Sequence, residues 1–123
     1  MSVEKHELKV STTGSAGAAS GSSVLAVPLS ELVAVHVDYH ASVPATTDLT
    51  LKSPGNPASV TLLTLTNVNS DGWYYPKVQK HDNAGAAITG DYADPVVHGN
   101  LSCDLAQCDA LTNAVVLTVY LRV

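Results

Sequence analysis

The stretch VVLTVYLRV, residues 115–123, decides the fold class of this chain. Apolar side chains occupy every second position through it, which is the period of a β-strand with one buried face. Because the alternation is unbroken and continues to Val123, we expect this strand to be central and paired on both sides. Its predicted inward positions are Val115, Leu117, Val119, Leu121 and Val123.

Shorter stretches of similar character occur along the rest of the chain, separated by clusters of turn-forming residues. Together they predict an all-β fold: an antiparallel two-sheet β-sandwich, jelly-roll-like or immunoglobulin-like, with about seven to eight strands. We predict a long loop over 81–95, and the only helix candidates are turns at 30–32 and 104–111. The further predicted strands cover 4–13, 24–29, 32–40, 47–53, 60–66, 73–78 and 96–105, and the turns include 53–57 and 67–72.

Two strands carry a more specific prediction. The apolar positions of the strand at 60–66 change phase between Leu62 and Leu63, which indicates a bulge or burial on both faces. In the strand that begins at Trp73, Pro76 cannot donate a ladder hydrogen bond, so this strand is predicted at a sheet edge.

Length and composition favour a single domain spanning residues 1–123. The hydrophobic fraction of 46% contains no Phe and is built mainly from Val, Leu and Ala. Only 14% of the residues are charged, which is low for a solvated surface. Cover by neighbouring subunits explains such a surface, and so does a small sandwich rich in Ser and Thr.

The charge pattern argues against two classes of partner. The net charge is −5, and the six basic residues are scattered, so we expect no nucleic-acid binding. No apolar stretch approaches the length of a membrane span, and the first residues lack the apolar segment of a secretory signal. Synthesis in the cytoplasm is therefore expected.

The first 23 residues suggest an N-terminal arm. Leu8 and Val10 alternate with Glu7 and Lys9, as in a strand with one wet face. Residues 14–23 are ten small, uncharged residues, a composition typical of a flexible Gly/Ala/Ser loop unless a partner holds it.

Cofactor and catalytic signals are weak. His36, Asp38 and His40 share one face of a predicted strand and are valid metal ligands, with His98 or His6 as a fourth. Successive same-face residues lie about 7 Å apart, however, so we predict a polar strand face and no metal or other cofactor. No nucleophile elbow and no phosphate-binding loop occurs, and we expect no enzymatic activity.

Two features allow alternatives. Cys103 and Cys108 could form a disulfide, but in a cytosolic product we expect both reduced, Cys103 in the core and Cys108 in a turn. The triplet Trp73-Tyr74-Tyr75 follows a turn, with Trp73 and Tyr75 predicted on one face and Tyr74 on the other. Such aromatics serve as interface anchors, as sugar-stacking groups or as core.

Three stretches carry a resemblance to a known group of proteins: LKVSTTGSAG at 8–17, VHVDYHASVPATTD at 35–48 and DGWYYP at 71–76, followed by the terminal strand. In this order they resemble small structural proteins of tailed-bacteriophage virions, of the capsid decoration (cement) type. The resemblance extends over nearly the whole chain.

The resemblance implies a β-sandwich that binds and stabilises the phage head lattice without chemistry. It implies a homotrimer on the capsid surface whose partner is the major capsid protein, with contacts from segment 1–23 and from loops such as 81–95. A head–tail connector or tail component is the first alternative, and a small carbohydrate-binding module on the virion is the second. The candidate partner-contact residues are Glu4, His6, Leu8, Val10, Trp73, Tyr74 and Tyr75.

Overall fold

A computed structural model describes residues 2–55 and 58–123 of the chain. These residues form nine antiparallel strands and no helix, so no helix among them could span a membrane. The predicted all-β sandwich is confirmed, with nine strands where about seven to eight were expected. The strands are β1 (Val3–Val10), β2 (Ala19–Tyr39), β3 (Asp48–Ser53), β4 (Val60–Leu65), β5 (Gly72–Tyr74), β6 (Val78–His81), β7 (Ala87–Ala93), β8 (Val96–Cys108) and β9 (Val115–Arg122).

Strand β2 connects the two layers of the sandwich. It is 21 residues long, where two separate strands were predicted at 24–29 and 32–40. Residues 19–31 pair with β8, and residues 31–39 pair with β9. The first layer therefore has the order β1-β9-β2-β5, and the second has the order β2-β8-β3-β4. A register shift between Leu32 and Ala34 accompanies the transfer between layers.

The core lies between the two layers and consists mainly of Leu and Val. Alternate residues of β9 are buried from Val115 to Leu121, and β9 pairs with both β1 and β2, so its predicted central place is confirmed. The inward position predicted for Val123 was wrong, because this residue lies beyond the end of β9 and is 42% exposed. Complete burial of each Leu or Val side chain contributes about 1.5–3 kcal/mol. The largest fully buried side chains are Leu32, Leu49, Leu51, Leu101, Leu105, Leu117, Leu121, Val10, Val35, Val37, Val97 and Val115.

The predicted irregularity in strand β4 is a bulge. Leu51 of β3 is opposite Leu63, and the next residue, Lys52, is opposite Thr61, so Leu62 has no partner in the ladder. This extra residue lets Leu62 turn inward and be buried, at 7% exposure. The turn predicted at 53–57 lies partly outside the described residues, at positions 56 and 57.

Residues 11–18 connect β1 to β2 and are fixed by contacts at both ends. Thr13 and Ser20 form a β-bridge, and the backbone N–H of Gly17 donates to Oδ1 of Asp109 at 2.9 Å. A Cβ atom on Gly21 would lie 2.0 Å from the carbonyl oxygen of Ser11, so this close crossing requires glycine. The segment predicted as an arm and loop thus contains β1, this connection and the start of β2.

Two regional predictions were wrong. Segment 81–95 was expected to be a loop, but β6 and β7 form a separate two-stranded hairpin that ends at Ala93. Its residues 80–92 are exposed, so the hairpin buries little apolar surface and gives no hydrophobic signal in the sequence. The possible helical turn at 104–111 is instead the end of β8, and Cys108 is a buried strand residue where a turn was predicted.

Candidate functional site

The outer face of the first layer brings together residues from four strands. In register, Trp73 of β5 is opposite His36 of β2, His36 is opposite Thr118 of β9, and Thr118 is opposite Glu7 of β1. Side chains alternate across a strand, and the neighbours of these residues on β2 and β9 point into the core. The four side chains therefore form one row across the outer face.

Three rings on this face are in contact, and we call His36, Trp73 and Tyr120 the aromatic shelf. The His36 and Trp73 ring centroids are 4.8 Å apart, and those of Trp73 and Tyr120 are 5.7 Å apart. Both distances lie in the range of favourable aromatic pairs. Trp73 nevertheless keeps 52% of its surface exposed, so the shelf offers ring area to solvent.

The position of Trp73 is fixed by its neighbours in the chain. The short edge strand β5 pairs with residues 35–37 of β2, and the ring of Tyr74 packs against the core from the inner side. Next to it, Oδ1 of Asp71 accepts a 2.7 Å hydrogen bond from the N–H of Tyr39. Tyr75 is 62% exposed, so the predicted division of the triplet between two faces is confirmed.

A charged pocket of about 420 Å³ lies beside the shelf, where the β6–β7 hairpin meets strands β2 and β9. Arg122 lies on the outer face of β9, two residues beyond Tyr120, so shelf and pocket are about 7 Å apart along the strand. The pocket is lined by Glu31, Lys77, Lys80, Tyr92, Ala93, Asp94 and Arg122.

Asp94 organises the charges of this pocket. Its carboxylate accepts hydrogen bonds from Lys77 and, at 2.8 Å, from Nη1 of Arg122. The hydrogen bond from Lys77 is the main reason that the pKa of Asp94 is lowered, and the Arg122 hydrogen bond acts in the same direction. Glu31 lies 3.8 Å from the same guanidinium nitrogen. Asp94 thus remains ionised and holds both cations in place.

The predicted contacts on β1 have different environments. Nε2 of His6 donates a 3.0 Å hydrogen bond to Oε1 of Glu4 on a partly exposed part of the strand. Leu8 and Val10 are buried in the core, with 3% and 0% exposure. Both side chains point inward, as the strand alternation requires, so neither is on the surface that a partner could contact.

The His36-Asp38-His40 pattern does not converge. The His36 ring contacts the Trp73 ring at a tilt of 60°, whereas His40 lies beyond the end of β2, where its Nδ1 accepts a 3.0 Å hydrogen bond from the N–H of Ser42. Within residues 2–55 and 58–123, no group of three His, Cys, Asp or Glu side chains is arranged to hold a metal ion.

Sequence reasoning identified Trp73 but missed its two partners and the charged pocket. His36 was considered as a metal ligand or as part of a polar strand face, and Tyr120 was not singled out. The β-strand alternation placed both on outer faces, but the register that brings them to Trp73 is a tertiary property. Arg122, Lys77 and Asp94 were seen only as scattered charges.

Comparison with known proteins gives structural similarity only. No protein-family model matches the sequence, and no curated protein is significantly similar to it. A mutant of CBM29-2, a family 29 carbohydrate-binding module, is similar over 98% of this chain and 80% of its own, with 8% identity and a TM-score of 0.40. The family 32 module of C. perfringens NanJ, solved with galactose, is similar over 96% of this chain and 93% of its own, with 7% identity and a TM-score of 0.43. At such identities the ligands of those modules do not transfer to this chain.

Proposed function

We propose that this protein is a non-catalytic carbohydrate-binding module whose aromatic shelf stacks against a pyranose ring. The observation that carries the proposal is the half-exposed Trp73, held on a sheet face beside Tyr120 at 5.7 Å. The C–H bonds on one face of a pyranose carry partial positive charge, and the face of an aromatic ring is negative. An exposed aromatic face of this kind can hold a sugar ring without any chemical step.

The setting of the shelf suits a polar ligand with one apolar face. Register places Lys5 opposite Tyr120 and Glu7 opposite Thr118, so charged side chains of β1 flank the rings. These groups can exchange hydrogen bonds with sugar hydroxyls, whereas they would be costly to bury beneath an apolar partner. The sheet keeps the rings in place before the ligand arrives, which lowers the entropy cost of binding.

Replacement of Trp73 tests the proposal. A panel of soluble oligosaccharides is first screened by calorimetry against the unaltered protein to identify a ligand. The Trp73→Ala variant is expected to bind that ligand at least about tenfold more weakly, because the largest stacking surface is lost. Leu29→Ala is the matched control, since Leu29 is also an exposed apolar residue, 74% exposed, but lies on the β2–β8 side. An equal effect of both variants, or no ligand in the panel, would refute the proposal.

A second candidate function is capsid decoration, as the resemblance to phage virion proteins implies. It is favoured by the β6–β7 hairpin, which pairs with no other strand in the described part of the chain and exposes Val78, Ile88 and Tyr92. A two-stranded hairpin is marginally stable by itself, so a neighbouring subunit would suit it as support. In this role the hairpin would contact the major capsid protein, and the chain would be a trimer on the virion surface.

Cryo-electron microscopy of the particle that carries this protein tests the second candidate. Repeated density at three-fold positions of the outer shell, with the hairpin against the capsid, is the expected result. Density at the neck or tail would instead support a connector or tail component. The absence of the protein from every particle would remove the virion role and leave the carbohydrate-binding proposal intact.

A further inference from the structure

The charged pocket gathers several basic groups, in a chain whose net charge is −5. Its lining includes three cations and two carboxylates, namely Lys77, Lys80, Arg122, Glu31 and Asp94. A third carboxylate, that of Asp91, lies 3.5 Å from Nζ of Lys80, so each cation already has an acidic partner. An anionic ligand would therefore bind by exchange with these partners, which is easiest where an ion pair is exposed.

Asp94 contributes little negative charge to the pocket surface. Its side chain is 10% exposed and is covered by its hydrogen bonds with Lys77 and Arg122. The cations are more open, because the side chains of Lys77 and Arg122 are 45% and 34% exposed. An incoming ligand therefore reaches Lys77 and Arg122 more easily than the partly buried Asp94 carboxylate, while the Glu31 side chain, 50% exposed, lies open beside Arg122.

Lys80 is the most available cation of the pocket. Its side chain is 52% exposed, and its Nζ lies 3.5 Å from Oδ1 of Asp91, which is also about half exposed. Exposed ion pairs of this kind contribute little and exchange readily with other partners. Tyr92, 56% exposed, adds a ring and a hydroxyl to the same wall.

We propose that the charged pocket binds the carboxylate of an acidic saccharide while a neighbouring sugar ring stacks on the aromatic shelf. This inference rests on the proposed carbohydrate-binding function and names its ligand class. The succession of Tyr120 and Arg122 on one face of β9 places the stacking surface and the cations side by side, as a chain of sugars would require. Arg122, already oriented by Asp94, can offer a guanidinium N–H to the carboxylate with little loss of entropy.

Two pairs of matched probes test this inference by calorimetry. Tetragalacturonate is compared with its methyl ester, and sialyllactose with lactose, so that each pair differs in the acidic group. The unaltered protein is expected to bind the acidic member of one pair at least about tenfold more tightly than its neutral partner. The pair that shows this preference distinguishes a uronic acid from a sialic acid as the source of the carboxylate.

Two lysine variants assign the preference to the pocket. Lys80→Gln is expected to lower the affinity for the acidic probe severalfold and to leave the neutral probe unchanged. Lys52→Gln is the control, because Lys52 also forms an exposed ion pair, with Asp104 at 2.9 Å, but in the second layer. Added salt should weaken the binding of the acidic probe more than the binding of the neutral probe.

The outcomes separate this inference from the function on which it rests. Equal binding of acidic and neutral probes, with both weakened by Trp73→Ala, would overturn the acidic preference and keep the carbohydrate-binding function. Equal effects of Lys80→Gln and Lys52→Gln would also overturn the role of the pocket. No binding of these probes or of the wider panel would overturn both proposals.

Discussion

The indole ring of Trp73 lies 5.7 Å from the phenol ring of Tyr120, centroid to centroid, although β2 separates their strands. The residue of β2 opposite Tyr120 is Ala34, whose small side chain leaves room for the rings to approach above it. The next residue, Val35, points into the core, so Ala34 points to the outer face. Even there, only 7% of Ala34 is exposed. The shelf therefore depends on a small residue in the middle strand as well as on its rings.

Tyr120 is expected to share the binding of a sugar with Trp73. Tyr120→Ala should weaken saccharide binding about two- to tenfold, because one of the two neighbouring rings is lost. Tyr120→Phe keeps the ring and should retain most of the affinity, which calorimetry can measure. If the Phe variant loses as much affinity as the Ala variant, the hydroxyl and not the ring contacts the ligand.

The inner face of β9 is expected to dominate stability. Leu117→Ala removes a fully buried side chain and should lower the free energy of unfolding by about 2–5 kcal/mol. Its neighbour Thr118 is on the outer face, so Thr118→Ala should change this free energy by less than about 1 kcal/mol. Urea denaturation of both variants measures the difference, and similar losses would contradict the assigned inner face.

The ion pairs of Asp94 make a pH-dependent contribution to stability. Because its pKa is lowered in the folded protein from the ordinary value of 3.8, this contribution is present above that value and is lost as the pH falls through the lower folded pKa. Asp94→Asn should therefore destabilise the protein near neutral pH, and this destabilisation should shrink as the pH falls below 3.8. Urea denaturation at several pH values measures it.

Asp91→Asn is the control for this experiment, because Asp91 forms only an exposed pair with Lys80 at 3.5 Å. The control should change the pH profile of stability much less than the replacement of Asp94. If Asp94→Asn lowers the free energy of unfolding by the same amount at low pH as at neutral pH, the charge of the Asp94 carboxylate is not the cause of the loss of stability.

The two cysteines are expected to be inert in the folded protein. Burial raises the pKa of the Cys103 thiol to about 12, and the nearby Asp104 adds to this effect. Cys108 is buried as well. Because the thiolate is the reactive form, a disulfide reagent near pH 8 should react only as fast as the protein unfolds. Addition of urea should release both thiols, whereas a rapid reaction without it would contradict their burial.

The sequence predicts those parts of the fold that depend on local alternation. The central place of β9, the bulge at Leu62 and the two faces of the Trp73 triplet follow from which positions are apolar. Each of these features requires only the two-residue period and the position of the core. A half-exposed Trp73 at a sheet edge could therefore be predicted from the sequence.

The rest depends on pairings between distant segments. The length of β2 was missed because Pro28 and the polar residues 30–31 resemble the end of one strand and the start of another. In the structure these residues lie where β2 passes from one layer to the other, and the strand continues through them. The β6–β7 hairpin was missed because it has no buried face, and its turn is fixed by Asp82, whose Oδ1 accepts hydrogen bonds from two backbone N–H groups. The pocket needs both features, so it has no signature in the sequence.

Intrinsic fluorescence is the most direct test of the carbohydrate-binding proposal, because Trp73 is the only tryptophan of the chain. Its emission reports on the shelf alone, without any label. Titration with a bound oligosaccharide is expected to shift the emission to shorter wavelength and to saturate, since a stacked sugar displaces water from the exposed indole face. An emission spectrum that stays unchanged across the whole panel of neutral and acidic saccharides would contradict the proposal that Trp73 binds carbohydrate.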